Sequence, residues 1–417
     1  MLLPKSMLRH LILWVTLPVL TGWAAPAVRT FDLTTLTPAD TFSPERGFGF
    51  DLGTAPTAAH EPFFFSVAVP EGNYRVTVTF GDAAKATVNT VKAESRRLML
   101  DRVATAAGEF YTRSFIVNVR NASLPPPEKN APGGSAVILN DRETGSLTWD
   151  DKLTLEFNGS APGVRTIMVE PVERPTVYLA GDSTVTDQRW EDGASWGQML
   201  PRFFRPGIAI ANHAESGETL KSFLTGLRLA KILSQIRAGD YLFIQFGHND
   251  QKKQWPQTYV EAKTTYQAYL RAYIAEARMR GATPVLLTSP QRRTFDEHGK
   301  ITNTHGDYPA AVREVGAEQN VVVIDLAALS TQFYEALGPE RATLAFANHG
   351  KDATHHNNYG AYELAKGVAQ AIRDSNLPLA EKISADFATF DPAQPDDPST
   401  FNLPASPLRS TITPRGN

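Results

Sequence analysis

The chain has 417 residues, 42% of them hydrophobic and 20% charged, the balance of a globular protein with room for more than one core. Its formal net charge of −3 offers no basic excess for nucleic acid, and no long block of one charge marks an interaction tail. The absence of cysteine excludes a thiol nucleophile and disulfide staples but leaves export open, because a large core needs no cross-link.

The first segment combines Lys5 and Arg9 with the apolar run Leu11–Leu20 and the small residues Ala24, Ala25 and Ala27. That order predicts a signal peptide over residues 1–27 and a periplasmic or extracellular protein. The run is shorter than the ~20 residues of a membrane span, so no membrane contact is expected after processing.

Residues 28–172 read as β. Phe63–Gly81 is two strand-like segments around Pro70-Glu71-Gly72-Asn73, with Arg75, Thr77 and Thr79 alternating with Val76, Val78 and Phe80, so one face is apolar. Further strands are predicted at Arg113–Val119, Ala136–Asn140, Lys152–Phe157 and Arg165–Glu170, with Leu124–Gly134 a Pro/Gly-rich loop. Short strands between turns, with no long helix, predict a β-sandwich.

At Arg174-Pro175 the pattern changes. Apolar runs at Thr176–Ala180, Ile208–Asn212, Tyr241–Phe246, Thr283–Thr288 and Val321–Leu326 alternate with helical patterns, the clearest at Tyr259–Arg280 and Tyr359–Asp374. This predicts a second domain over 173–376, a five-stranded parallel sheet covered on both faces. Its ligands should bind beyond the carboxyl ends of the strands. The Pro-rich residues 377–417 read as a surface tail.

Four short motifs fall at those strand ends or just before the last helix: Gly181-Asp182-Ser183-Thr184, Glu215-Ser216-Gly217, Gly247-His248-Asn249-Asp250 and Asp352-Ala353-Thr354-His355. They supply what a serine hydrolase needs. Ser183 is the candidate nucleophile, His355 the base, and Asp352 the carboxylate that orients the imidazole. The backbone N–H groups of Ser183 and Gly217 and the amide of Asn249 are candidate oxyanion donors. Asp182 reads instead as a turn stabiliser. His356 rivals His355 as base, and the Asp-x-x-His spacing selects His355. His213, His248 and His356 lack the i, i+4 spacing of a helical metal site, and no metal or other cofactor is expected.

The ordered set resembles the SGNH, or GDSL-like, hydrolases, and within them carbohydrate esterase family twelve, the rhamnogalacturonan acetylesterase-like branch. The residues that carry this are LAGDSTVTDQ (179–188), ASWGQML (194–200), NHAESGETLKSF (212–223), QFGHNDQK (245–252) and DATHHNNYGA (352–361). FFFSVAVPEGNYRVTV (63–78), VKAESRRLML (91–100) and WDDKLTLEFNG (149–159) resemble the amino-terminal, galactose-binding-like domain of bacterial members. The resemblance implies a three-layer α/β/α flavodoxin-like fold and removal of acetyl groups from pectin without a metal. Its substrate would be an acetylated plant polysaccharide or oligosaccharide, and no obligate protein partner is indicated. Thr184 stands where many relatives outside this branch have leucine, which weighs against a lipase.

On that reading Arg292 and Arg293 could face a galacturonate carboxylate, and Trp190 and Trp255 could cover a sugar face. Lys252 and Lys253 are weaker candidates of the same kind, and Trp196 reads as core. Two alternatives stay open: an acetylxylan or other esterase or lipase of the same fold, and a non-catalytic carbohydrate-binding protein.

Overall fold

The computed structural model describes residues 27–57, 61–125 and 133–409. Nearly all of the expected signal peptide and most of the Pro/Gly-rich loop lie outside them. Among the described residues no helix is long and apolar enough to cross a membrane.

Nine strands come first: β1 Arg29–Asp32, β2 Phe48–Asp51, β3 Phe63–Ala68, β4 Gly72–Phe80, β5 Thr87–Ala93, β6 Arg97–Thr105, β7 Tyr111–Val119, β8 Lys152–Ala161 and β9 Val164–Pro171. They form two antiparallel sheets, ordered β1-β9-β4-β7 and β2-β3-β8-β5-β6. In β4 the expected alternation holds, with Val76, Val78 and Phe80 buried and Arg75, Thr77 and Thr79 half-exposed. The inner faces share one apolar core, where Phe31, Val76 and Ile167 of one sheet meet Phe65, Val91 and Leu155 of the other. A sandwich follows, because each sheet has one apolar face to hide. The strand expected at Ala136–Asn140 is absent: Ala136 makes an isolated bridge to Ser123, and the Ile138 N–H donates to the Gly226 carbonyl at 3.0 Å. The segment leaves the sandwich to lie on the second half of the chain.

That half holds a parallel sheet of β10 Thr176–Gly181, β11 Ala209–Asn212, β12 Tyr241–Gln245, β13 Thr283–Leu287 and β14 Val322–Ile324, ordered β11-β10-β12-β13-β14. Alternate residues serve opposite faces, as strand geometry requires. Val177, Leu179, Phe243 and Val285 pack into one core, and Tyr178, Ala180, Leu242 and Leu286 into the other. The first core is covered by α1 Trp196–Met199, α6 Leu326–Arg341 and α7 Asn358–Asp374; the second by α2 Leu220–Thr225, α3 Arg228–Leu233, α4 Gln267–Met279 and α5 Tyr308–Gln319. This is the three-layer flavodoxin-like arrangement. Its strand order reverses between β10 and β12, which opens a crevice at their carboxyl ends.

The described part of the expected tail does more than run over the surface. Leu379, Ile383, Phe387 and Phe390 are buried, the Ser406 hydroxyl donates to Glu156 at 2.7 Å, and Lys92 Nζ donates to the Pro404 carbonyl at 2.7 Å. The segment therefore packs against both halves of the protein.

Candidate active site

The site is built at the crevice from four connections. β10 ends at Gly181, where a Cβ would lie 2.6 Å from Val185 Cγ2 and 2.9 Å from the Gln245 carbonyl, so only glycine fits without a shift. The chain then turns sharply. The Asp182 carbonyl accepts from the N–H groups of Val185 and Thr186, both at 3.0 Å. The Asp182 carboxylate accepts from the Thr184 N–H at 2.9 Å and hydroxyl at 2.8 Å. Asp182 is thus a turn stabiliser, and burial raises its pKa. The Thr184 hydroxyl also accepts from Gln245 Nε2 at 2.7 Å, which gives threonine a polar task at this position. Trp196 is fully buried with its N–H satisfied by Gln245 Oε1 at 2.7 Å, a core residue as expected.

The turn presents Ser183 to the segment that precedes α7. Ser183 Oγ lies 2.8 Å from His355 Nε2, and His355 Nδ1 lies 2.9 Å from Asp352 Oδ2. The other Asp352 oxygen accepts from the backbone N–H groups of Thr354 at 2.6 Å and His355 at 2.9 Å. Burial alone would push the Asp352 carboxyl up, but the bonds from the His355 ring and these N–H groups outweigh it and bring the pKa down to about 2. An ionised Asp352 fixes the tautomer with Nδ1–H, leaving Nε2 to accept the serine proton. His356 is not placed for that role: its Nε2 pairs with the Tyr334 hydroxyl at 2.5 Å, and burial pushes its imidazole down to about 3.

Asn249 follows β12. Its Nδ2 donates to the Glu218 carbonyl at 3.1 Å and its Oδ1 accepts from Lys252 Nζ at 3.1 Å. One amide N–H remains for a ligand. Asp250 braces this loop, accepting from the Leu220 N–H and the Gly247 N–H, each at 2.9 Å. Burial raises its carboxyl to about 8 despite those bonds. Gly217, with φ of +83°, sits in the left-handed region that glycine accepts freely.

Ser183, Asn249 and His355 line one pocket of about 180 Å³, together with His248, Lys252, Arg292 and Thr354. Gly217 is not on that lining. Arg292 is held by bonds to the His248 carbonyl at 3.2 Å and the Thr304 hydroxyl at 3.1 Å. His248 is buried edge-on against His305, ring centroids 4.4 Å apart, and burial holds its pKa well below the ordinary value.

Arg293 corrects the expectation of a second arginine facing substrate. The chain bends at Arg293, where the Thr294 N–H donates to the Arg292 carbonyl at 2.8 Å, and Arg293 turns to donate to the carbonyls of Gly350 at 2.7 Å and Asp352 at 3.3 Å. It supports the segment that carries Asp352. Neither tryptophan candidate lines the pocket. Trp190 is half-buried with the Arg189 guanidinium 4.9 Å above its ring. Trp255 is half-buried with Lys252 Nζ 4.8 Å above its ring, one side chain back from the pocket. Thr354 and the Lys252–Asn249 bond had no signal in the sequence beyond their place beside motif residues.

Residues 179–361 match the model of the GDSL-like Lipase/Acylhydrolase family. The chain is 41% identical over 230 residues to rhamnogalacturonan acetylesterase RhgT of Bacillus subtilis (strain 168), a match covering 52% of this chain and 96% of that protein. The chain belongs to the GDSL-like lipase/acylhydrolase family. A second relative, the probable rhamnogalacturonan acetylesterase YesY of the same organism, is 42% identical over 212 residues, covering 50% of this chain and 96% of that one. The solved structure of YxiM from Bacillus subtilis aligns with a TM-score of 0.48 at 24% identity, covering 84% of this chain and 99% of that one. As a GDSL-like enzyme the protein is a carboxylic ester hydrolase, and the four connections above all lie within the residues that match the family.

Proposed function

We propose that this GDSL-like hydrolase removes acetyl groups from an acidic plant cell-wall polysaccharide of the rhamnogalacturonan type. The observation that carries the reading is the Ser183–His355–Asp352 relay, at 2.8 and 2.9 Å, in a pocket lined also by the cations Lys252 and Arg292. At about 180 Å³ the pocket is smaller than the ~300–1,000 Å³ typical of drug-sized ligand sites, which favours a short acyl group. The two curated relatives act, by name, on rhamnogalacturonan.

In this mechanism Ser183 Oγ attacks the acetyl carbonyl as His355 Nε2 takes its proton. The oxyanion is met by the N–H groups of Ser183 and Gly217 and by the free amide N–H of Asn249. The imidazolium, held by Asp352, returns the proton to the departing sugar oxygen. Water deprotonated by His355 then releases acetate from the acetyl-serine. Residues 1–27 serve as the export signal, and residues 28–172 and 173–376 as the accessory and catalytic domains. The test is acetate release from a panel of acetylated rhamnogalacturonan, acetylated xylan and aryl acetates. Preference for the acidic polymer over xylan at equal acetyl content is expected; equal or better rates on xylan would overturn the substrate assignment while leaving the esterase.

A further inference from the structure

Part of the site's scaffold comes from outside the parallel-sheet half. The β7–β8 connection carries Asn140-Asp141-Arg142-Glu143. Asn140 Oδ1 accepts from the N–H groups of Arg142 at 3.0 Å and Glu143 at 3.3 Å, a turn that presents both side chains to the crevice loops. The Arg142 guanidinium forks onto Glu215 Oε1, at 3.2 Å from Nε and 2.7 Å from Nη2. Its remaining nitrogen donates to Gln188 Oε1 at 3.1 Å, and Gln188 Nε2 donates in turn to the Ser183 carbonyl at 2.7 Å. One buried cation thus ties the turn after the nucleophile to the Glu215–Glu218 loop that contains Gly217.

Glu143 extends the same hold. It receives both terminal nitrogens of Arg228, one at 2.8 Å, and the Trp149 indole N–H at 2.9 Å. Arg228 Nε donates to Glu218 Oε1 at 3.2 Å, and the Glu218 carbonyl is the acceptor that holds Asn249. Glu143, Glu215 and Arg228 are all buried. Forked, water-excluded contacts of this kind fix position as well as charge.

We infer that Arg142 and Glu143 of the β-sandwich are positioning residues for the esterase reaction, holding the Ser183 turn, the Gly217 loop and the Asn249 amide in register with one another. The inference rests on the proposed roles of Ser183, Gly217 and Asn249. A misplacement of ~1 Å in a catalytic array can cost ~100-fold in rate, so loss of these anchors should be read in kcat without any contact to substrate.

The test compares Arg142→Met, Arg142→Lys and Glu143→Gln with the wild-type full-length protein on a neutral aryl acetate. It also follows the rate at which a phosphonate labels Ser183, since the phosphonyl oxygen occupies the oxyanion position. Arg75→Ala, in β4 where Arg75 pairs with Glu170 at 2.8 Å, is the control for a sandwich substitution outside this network. Arg142→Met should lower kcat about 10–100-fold with KM within about threefold, and slow labelling in parallel. Arg142→Lys should recover part of the loss, and Glu143→Gln should cost about threefold or more in kcat. Unchanged kcat and labelling in Arg142→Met, with only a lowered melting temperature, would overturn the inference, as would a loss confined to KM. If Arg142→Met does not fold, the near-isosteric Glu143→Gln decides on the same two readouts. The underlying mechanism fails separately: it falls if Ser183→Ala keeps its activity, whereas inactive Ser183→Ala beside fully active Arg142→Met and Glu143→Gln removes only the positioning role.

Discussion

The interior of the β-sandwich and the seam between the sandwich and the parallel sheet are both buried, yet they are made of opposite chemistry. Inside the sandwich, Phe63 stacks on Phe157 with centroids 5.1 Å apart, and Phe65 meets Phe31 and Phe50 edge-on at 5.3 and 5.8 Å. At the seam, Arg97 meets Asp187 at 2.9 Å, Arg96 meets Glu191 at 2.7 Å, and Arg120 donates to the Asn212 carbonyl. Apolar packing is non-directional and tolerates small slips. Forked ion pairs specify angle and distance, and each is costly if left half-made. The difference suggests a division of labour, in which the apolar cores supply stability and the charged seam supplies registration between the two halves.

The largest expected effect lies on neither side of that comparison but at the point both serve. Ser183→Ala and His355→Ala should each lower kcat by ~10⁴-fold or more, and the double variant should be little worse than either, because nucleophile and base act as one unit. Acetate-release kinetics with a matched melting curve would check this, and near-normal turnover in Ser183→Ala would break the mechanism.

Asn249→Ala should come next, lowering kcat by ~10²–10³ with a smaller effect on KM. Its Nδ2 bond to the Glu218 carbonyl makes Asn249 one of the residues through which the seam meets the chemistry. A change confined to KM would make it a ground-state contact and cut that link.

Phe65→Ala sharpens the contrast from the apolar side. Phe65 is fully buried between the two sheets, and its truncation should cost ~3–5 kcal/mol of stability. Below the melting range kcat should stay near that of the wild type. A fall in kcat comparable to that of the Arg142 substitution would mean that core and seam do not divide their labour.

The same contrast explains how much could be read from the sequence. The parallel sheet was legible because its strands are apolar on both faces, so all five emerged as continuous runs. β4 was legible from its alternation. β5 and β6 were not: their adjoining ends and the turn between them carry Lys92, Glu94, Arg96 and Arg97, which hydropathy assigns to solvent. All four are buried, because each finds a partner across or beside the seam. β1 and β2, four residues each, are too short for periodicity to register. Ser183 and Asn249 stood out as motif residues at strand ends, and Asp352 and His355 as a motif just before the last helix. Arg142 and Glu143 gave no such signal, since only the fold brings a loop of the sandwich to the crevice. Arg292 and Arg293 looked equivalent as a pair, and side-chain direction alone separates them.

That separation gives the smallest and most selective prediction. Arg292 lines the pocket, with Nη1 donating to the Thr304 hydroxyl and Nη2 to the His248 carbonyl, so its fixed positive charge and remaining N–H groups can meet a substrate carboxylate. Arg293 directs one terminal nitrogen to the Gly350 and Asp352 carbonyls, away from the pocket. Arg292→Ala should therefore raise KM for acetylated acidic oligosaccharides several-fold, more at low salt, since a partly exposed charge pair is worth only ~1 kcal/mol and is screened. It should leave a neutral aryl acetate almost unchanged, because that substrate has no carboxylate to engage. Arg293→Ala should instead lower kcat on both substrates by a similar, modest factor, through looser placement of Asp352 and with little salt dependence. Steady-state kinetics on the two substrates at two ionic strengths would check both. Parallel losses for the two variants on both substrates would mean that Arg292, like Arg293, supports the loops. A salt-dependent, substrate-selective loss for Arg292→Ala alone would assign the pocket's cation to the acidic sugar.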